Sequence, residues 1–199
     1  MGLEFDQFYK NKENSFINDI FIIQIYNIFI CTCGYDSYTF EKVLDIPLYI
    51  PINNKIYQLN NLIRNNISNI SVDCSLDCIN FKKSKKKYYK NIKINIVNDV
   101  IIYSLQRFNY ENNEKNNSTI KFEEKINIKE FIIDNDNNIK YEYELFDTIH
   151  HVKNLNKGHY FCNIKNGKIC YTLNDSIVEM NNYIEFSSSN ICIFIYKKI

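Results

Sequence analysis

The chain has 199 residues, of which 45% are hydrophobic and 24% are charged, a composition typical of one soluble domain. A chain of this length buries roughly two-thirds of its surface on folding, so it needs neither disulfides nor a metal to form a core. It contains no Ala and no Trp, but 16 Tyr and 14 Phe. Because Ala favours helix and aromatic residues favour strands, we predict an α+β fold that is predominantly antiparallel β.

The charge balance limits the partners that the chain can bind. It has 24 Lys and Arg against 23 Asp and Glu, a net charge of +1, whereas binding nucleic acid by counterion release needs many uncompensated cations. One basic run, at 82–90, contains two tyrosines and could follow a phosphate backbone. Such runs are usually solvated surface, so we expect no nucleic acid partner.

The N-terminal sequence indicates a compartment. The first six residues lack the basic region of a secretory signal, and Asp6 stands where an N-myristoylation signal has Ser or Thr. We therefore expect an intracellular protein, in the cytoplasm or the nucleus. The most apolar stretch, 16–30, is interrupted by polar residues that are costly in hydrocarbon, so we expect no membrane partner.

Hydrophobic patterning along the chain predicts mostly strands. Residues 16–30 and 43–52 alternate or run apolar, and Pro47 places the second strand at a sheet edge or loop entrance. Residues 57–67 are the best helix candidate, because their apolar positions fall on one helical face. Further strands are predicted at 92–105, as one long strand or two, and at 120–133, 141–151 and 191–196, with Asn-rich loops at 109–117 and 134–138.

The seven cysteines separate by their spacing into two close pairs and three scattered residues. Without a secretory signal they are metal ligands, redox or catalytic groups, or small core residues, and not a disulfide framework. Two pairs about forty residues apart are similar to a zinc ribbon, in which two turns supply four thiolates to one Zn²⁺. The alternative is a degenerate ribbon whose thiols bind nothing. The paired residues are Cys31 with Cys33 and Cys74 with Cys78.

A hairpin is predicted at Asn166-Gly167, because a two-residue type I′ turn needs positive φ at both positions and these residues tolerate it. In such a hairpin, paired residue numbers have a constant sum, which places His159 opposite Asn174 on one face of the ribbon. Their Cα atoms are then about 5.5 Å apart, which permits a side-chain hydrogen bond.

The two faces of this hairpin differ in character. The face predicted to be core-like carries Tyr160, Cys162, Ile164, Ile169, Tyr171 and Leu173, and the other carries His159, Phe161, Asn163, Cys170, Thr172 and Asn174.

An imidazole held by a carboxamide is two-thirds of a nucleophilic triad. We expect the amide oxygen of Asn174 to accept from Nδ1 of His159, which leaves Nε2 to take a thiol proton. A plain polar pair is the simpler interpretation, and a bulge would shift the register and break the pairing.

Several short motifs resemble, in the correct order, those of the ubiquitin-specific proteases, papain-like cysteine peptidases that remove ubiquitin. Gly158-His159-Tyr160, followed by a strand and Asn174-Asp175-Ser176, is similar to the His box of that family. Upstream, Leu105-Gln106-Arg107-Phe108 resembles its Leu-x-Arg-Phe strand, and 143–151 its Tyr-x-Leu strand ending in His. The cysteine pairs occupy the places of its zinc finger, 16–21 the strand that leads into the finger, and 191–198 the closing strand.

The resemblance implies a fold, a set of site residues and a partner. The fold is the palm-and-fingers portion of the protease, with fingers at about 17–92, a palm at about 93–199, and no helical thumb. His159 is the general base, Asn174 orients it and Asp175 assists, while Gly158 and Tyr160 line the channel for the C-terminal tail of ubiquitin. A structural zinc in the fingers is implied, no cofactor is needed for catalysis, and the partners are ubiquitin or ubiquitinated proteins.

The sequence also departs from the family pattern. Cys170 replaces the usual Trp, Val152-Lys153 stands in place of Ser-Gly, and the N-terminal Cys box that carries the nucleophile has no counterpart. Two interpretations follow. The chain is the C-terminal part of a cysteine-type deubiquitinase whose thiol is encoded upstream or on a separate polypeptide, or it is a non-catalytic protein that binds ubiquitin.

Overall fold

The computed structural model describes residues 16–31, 36–52, 55–67, 70–74, 86–109, 114–133, 139–153, 157–181 and 185–199. Within these ranges the helices are α1 (Phe16–Phe21) and α2 (Leu59–Ile67), and a 3-10 turn spans Lys129–Phe131. None of these helices is long and apolar enough to span a membrane. The strands are β1 (Ile23–Cys31), β2 (Asp36–Val43), β3 (Ile46–Tyr49), β4 (Ile56–Gln58), β5 (Ile70–Cys74), β6 (Lys86–Ile96), β7 (Val100–Gln106), β8 (Phe108–Asn109), β9 (Glu114–Lys115), β10 (Thr119–Lys121), β11 (Lys125–Asn127), β12 (Glu142–Val152), β13 (His159–Asn166), β14 (Ile169–Asn174), β15 (Ile177–Asn181), β16 (Ser187–Ser188) and β17 (Ile191–Lys198).

The first sheet has four antiparallel strands in the order β2-β1-β6-β5. Three aromatic side chains of β1 and β2 pack together, with the ring centroid of Tyr26 5.4 Å from that of Tyr38 and 4.7 Å from that of Phe40. Part of the basic run, at 86–90, lies in β6, and the rest lies outside the described residues. The predicted boundary between fingers and palm stays a prediction.

The largest sheet has eight strands, in the order β15-β14-β13-β12-β17-β7-β3 with β11 added beside β12. Its pairs are antiparallel except β3 with β7. Pro47 lies in the terminal strand β3, as predicted, because an edge position does not require the N–H that proline lacks. The strand-rich, mostly antiparallel structure confirms the predicted fold class.

One face of the large sheet forms the core. Phe194, Tyr196 and Tyr103 on this face are fully buried, and α2 packs against the edge strand β3 with the apolar stripe predicted from its periodicity. Asn66, on the same helix, accepts a hydrogen bond from the backbone N–H of Tyr49 at 2.8 Å, which fixes the helix to the edge strand β3.

The prediction of a strand beginning at residue 16 is wrong. Residues 16–21 form α1, and β1 begins only at Ile23. The side-chain amide of Asn98 donates to the carbonyls of Asn18 and Ile22, both at 2.9 Å, and so satisfies main-chain acceptors at the end of this short helix. This contact joins residues about eighty positions apart, which a local pattern does not contain.

Arg107 lies at the end of β7 and is the largest fully buried side chain in the described ranges. Its guanidinium donates to the carbonyls of Asn116 at 2.8 Å and Ser118 at 2.9 Å, and Nε donates to the carbonyl of Ile191. Burial lowers the pKa of Arg107 to about 10, so the group stays charged at neutral pH. We refer to this set of contacts as the Arg107 clamp.

Replacement of Arg107 by Lys should destabilise the fold by about 3 kcal/mol, because one ammonium group cannot bind three carbonyls in the planar fork geometry and a buried charge loses acceptors. The free energy of unfolding in urea measures this change. Arg64→Lys is the matched control, since Arg64 is half-exposed and pairs with Glu130 at 2.8 Å on the surface. Equal, small effects of the two substitutions would contradict the structural role of the clamp.

Candidate active site

The residues of the predicted site lie at the ends of three adjacent strands. His159 is the first residue of β13, and Asn174 is the last residue of β14. Asp175 follows in the two-residue turn between β14 and β15, with φ of +53°. Left-handed backbone of this kind is uncommon outside glycine, and Asp and Asn are among the residues that adopt it most readily.

His159 and Asn174 are in contact, as predicted. Nε2 of His159 lies 2.5 Å from Oδ1 of Asn174 and 3.9 Å from Oδ2 of Asp175. The His159 side chain is 39% exposed and that of Asp175 is 80% exposed. Because Oδ1 only accepts hydrogen bonds, the contact places the proton on Nε2. Nδ1 of His159 has no hydrogen-bond partner among the described residues.

The predicted choice of ring nitrogen is therefore wrong. The carboxamide holds Nε2, and Nδ1 is the nitrogen left to act as acceptor. Which ring nitrogen is held depends on the rotamer of His159, and sequence spacing carries no information about rotamers. The chemical capacity is the same, since the unprotonated nitrogen of a neutral imidazole takes a proton whichever nitrogen it is.

The predicted hairpin register is also wrong, by two residues. Asn166 pairs with Ile169 and Cys162 pairs with Leu173, so the loop is Gly167-Lys168. Only Gly167, at φ of +62°, has positive φ in this loop, which fits a type II′ turn with glycine first in place of the predicted type I′ turn. A shift of two residues keeps every side chain on its face, because the side-chain period of a strand is two. His159 thus reaches Asn174 diagonally and not directly across the ribbon.

Gly158 and Tyr160, predicted to line a substrate channel, flank His159 on either side. The Tyr160 side chain is 57% exposed. Gly158 is exposed to solvent on one side and lies against the imidazole of His151 on the other.

A ladder of polar side chains continues the site face across the sheet and was not predicted. Nε2 of buried His150 lies 3.0 Å from Oγ1 of Thr148 and 3.1 Å from Nδ2 of Asn163. Oδ1 of Asn163 accepts from the hydroxyl of Thr172, which accepts from Asn181. Burial, and the charge of Arg107 nearby, lower the pKa of His150 to about 4, so its ring is neutral at physiological pH. The signal in the sequence is polar residues spaced by two along a strand, such as Thr148 and His150.

The opposite face of these strands is less buried than predicted. Tyr160 and Ile169, placed on a core-like face by the sequence, are 57% and 42% exposed, since no described element covers this side of β13 to β15. Asp147 lies on the same face of β12, opposite Ile164. Its Oδ1 is buried and makes no hydrogen bond to a described residue, and burial raises its pKa to about 6.

The described cysteines outside the two pairs are poorly placed to act as nucleophiles. Cys170 pairs with Lys165, six residues along β13 from His159, or roughly 20 Å. Cys162 projects from the opposite face, and Cys192 is buried in β17. Burial raises the thiol pKa of all three, which disfavours the thiolate that attacks a carbonyl.

Two of the predicted zinc ligands, Cys33 and Cys78, lie outside the described residues. Cys31 ends β1 opposite Tyr88 and is buried, and Cys74 ends β5 opposite Lys86. Both backbones are therefore at the same end of the four-stranded sheet, on the two strands that flank β6. In the part of the chain that the structure describes, no group of three or more His, Cys, Asp or Glu residues is arranged to hold a metal ion.

Comparison with known proteins identifies the family. The family model described as ubiquitin carboxyl-terminal hydrolase matches residues 4–196, which is most of the chain. The chain therefore belongs to the ubiquitin carboxyl-terminal hydrolase family, which confirms the resemblance seen in the sequence. No curated protein matches the chain. Membership supports a hydrolase of the deubiquitinating type, with ubiquitin or ubiquitinated proteins as partners.

Replacement of Asp147 by Asn should stabilise the protein at pH 7. A carboxyl group whose pKa is raised from 3.8 to about 6 on folding contributes stability below pH 3.8 and loses it as the pH rises through 6. With allowance for solvent screening of a half-buried group, the gain for Asn is about 2 kcal/mol at pH 7 and near zero at pH 4.

Urea unfolding at the two pH values measures this effect. Asp175→Asn is the matched control, because the Asp175 side chain is 80% exposed and no gain is expected at either pH. A gain from Asp147→Asn that is the same at pH 7 and pH 4 would contradict the assigned cause.

Proposed function

We propose that this chain is the C-terminal part of a cysteine-type deubiquitinase, which binds ubiquitin and supplies the His and Asn of the triad for hydrolysis of ubiquitin-linked peptide and isopeptide bonds. The observation that carries the proposal is the 2.5 Å contact between Nε2 of His159 and Oδ1 of Asn174. Family membership, which rests on most of the chain, supplies the substrate class.

His159, Asn174 and Asp175 have different roles in the proposed general-base step. Nδ1 of His159 accepts the proton of a cysteine thiol, and the thiolate then attacks the carbonyl carbon at the C-terminus of ubiquitin. Asn174 holds Nε2–H, which fixes the ring orientation and stabilises the imidazolium that forms. Asp175, whose carboxylate lies 3.9 Å from Nε2, is the auxiliary residue. The proton on Nδ1 then passes to the leaving amine as the C–N bond breaks, and Nδ1 next takes a proton from the water that hydrolyses the resulting thioester and returns it to the thiol.

Since none of the described cysteines outside the two pairs is placed to serve as the nucleophile, we propose that the thiol comes from another segment. Cys162, Cys170 and Cys192 are excluded by face, distance or burial, and their thiol pKa values are raised by burial. His159 is 39% exposed, which leaves its ring accessible to a group brought by another segment. That segment is either encoded upstream of Met1 or belongs to a separate polypeptide.

A second candidate function is a non-catalytic protein that binds ubiquitin. The same absence of a suitable thiol among the described residues favours it, since an imidazole held by a carboxamide performs no hydrolysis without a nucleophile. Gly158 and Tyr160 would serve ubiquitin binding in either case. The two functions differ only in whether a thiol ever reaches His159.

The recombinant chain should bind ubiquitin and should not react with a ubiquitin whose C-terminus carries an electrophile. Ubiquitin binding is measured by titration of ¹⁵N-labelled ubiquitin, and covalent reaction by mass spectrometry. Failure to bind ubiquitin would overturn both functions. Labelling of any cysteine of this chain would overturn the proposal that the thiol comes from outside.

The two functions are distinguished with a longer protein, which is translated from a start upstream of Met1 and includes this chain. Labelling of that product by the probe, lowered roughly 10²-fold or more by His159→Ala, supports the deubiquitinase. Asn174→Ala should also slow labelling, whereas Asn166→Ala, at an exposed asparagine of the hairpin tip, is the matched control and should not. Ubiquitin binding without labelling of this product, or a coding sequence with no cysteine segment, would overturn an upstream origin of the thiol.

We also propose that a structural zinc binds at the end of the four-stranded sheet, to Cys31, Cys33, Cys74 and Cys78. The support is the position of the Cys31 and Cys74 backbones at one end of that sheet, on the strands that flank β6. Four thiolates suit tetrahedral Zn²⁺, and such a metal would fix the ends of β1 and β5 relative to each other.

Protein purified without chelators should contain about one zinc per chain by elemental analysis, as expected for a four-thiolate structural site. Cys74→Ser should lower the zinc content, whereas Cys162→Ser, at a half-buried cysteine of the large sheet, should leave it unchanged. If the chain folds but contains no zinc after purification in the presence of zinc, that result would contradict the proposed site.

A further inference from the structure

The ring of a second histidine, His151, packs against the backbone of Gly158, the residue before His159. His151 is 3% exposed. A Cβ atom built on Gly158 would lie 1.6 Å from Nε2 of this ring and 2.3 Å from Cε1. Because real Cβ atoms do not approach other atoms so closely, the ring occupies the space that a side chain at position 158 would need. Glycine is required there for close approach.

The same ring also contacts the residue that follows His159. His151 pairs with Tyr160 across β12 and β13, and the two ring centroids are 4.5 Å apart. The centroid of the His151 ring also lies 5.1 Å from that of Phe108, with the two rings nearly perpendicular. One side chain therefore contacts both Gly158 and Tyr160, the two chain neighbours of His159.

The backbone of His151 is held by two hydrogen bonds. Its N–H donates to the carbonyl of Asn190 at 2.8 Å, and its carbonyl accepts from Nζ of Lys115. Nδ1 of the ring is buried and makes no hydrogen bond to a described residue. The ring is therefore placed by its fixed backbone and by packing, and not by a polar partner of its own.

We propose that His151 is a positioning residue for His159, whose ring, wedged between Gly158 and Tyr160, fixes the start of β13 so that the His159 imidazole reaches Asn174. The inference rests on the proposed role of His159 as the base. His151 itself touches neither Asn174 nor Asp175 in the described structure, so it acts through the backbone on either side of His159.

Burial and the ammonium group of Lys115 lower the pKa of His151, which supports a neutral ring in this position at physiological pH. A protonated His151 ring would lie near the ammonium group of Lys115, which donates to the His151 carbonyl, and Arg107 lies beyond Lys115. The thiol of Cys192 is the other titratable group nearby.

The tautomer of His159, measured by side-chain ¹⁵N NMR, tests the proposal. In the unchanged chain the proton should reside on Nε2, where Asn174 accepts it. Gly158→Ala should lower the ratio of Nε2–H to Nδ1–H roughly tenfold, the factor that corresponds to loss of one hydrogen bond of about 1.4 kcal/mol. His151→Ala should lower it to a similar extent, and His151→Phe, which keeps a flat ring, should restore it.

The double variant provides the decisive comparison. In the His151→Ala background the added methyl group of Gly158→Ala has room, so it should cause no further fall in the ratio. Asn166→Ala is the control, since Asn166 is exposed at the tip of the hairpin, and it should leave the ratio unchanged.

An unchanged ratio in His151→Ala, or an equal fall caused by Gly158→Ala in both backgrounds, would overturn the proposal. If Gly158→Ala does not fold, the comparison of His151→Ala with His151→Phe decides the question alone. The measurement needs neither ubiquitin nor a thiol, so failure of the proposed function in the binding and labelling assays is distinguishable from failure of this inference.

Discussion

The Arg107 clamp is the interaction on which the rest of the structure depends. A buried guanidinium must have acceptors, and those of Arg107 are main-chain carbonyls from the turn before β10 and from the first residue of β17. One side chain at the end of β7 thereby joins segments that are far apart in sequence. Since carbonyls and not carboxylates bind the charge, the contacts fix backbone positions directly.

The candidate site is connected to this clamp through few steps. Ile191, held by the clamp, follows Asn190, whose carbonyl accepts from the N–H of His151. The His151 ring packs against Gly158, the residue before His159. The position of the proposed base is thus set by packing that begins in the core, and the base itself remains partly exposed. Such an arrangement suits a base that receives its nucleophile from another segment, because the base is held in place before that segment arrives.

Much of the fold, and the essential pair of the site, could be predicted from the sequence. The period of the apolar residues predicted α2, Pro47 predicted an edge strand, and the period of two in β-strands put His159 and Asn174 on one face. The last prediction remained correct although the register was wrong by two residues, because an even shift preserves the face. The polar ladder around His150 was missed, since its members come from four strands whose order is set by the whole sheet.

The sequence by itself determined properties that depend on a few neighbouring residues: strand or helix period, the face on which a side chain lies, and the family motifs. The tertiary structure decided the turn type at Gly167, the ring nitrogen of His159 that Asn174 holds, the short helix α1, and the exposure of the face that carries Tyr160. The physical reason is that rotamers, register and burial depend on which distant segments make contact. Spacing along the sequence determines on which face of a strand or helix a side chain lies, whereas only tertiary packing determines the distance between two side chains.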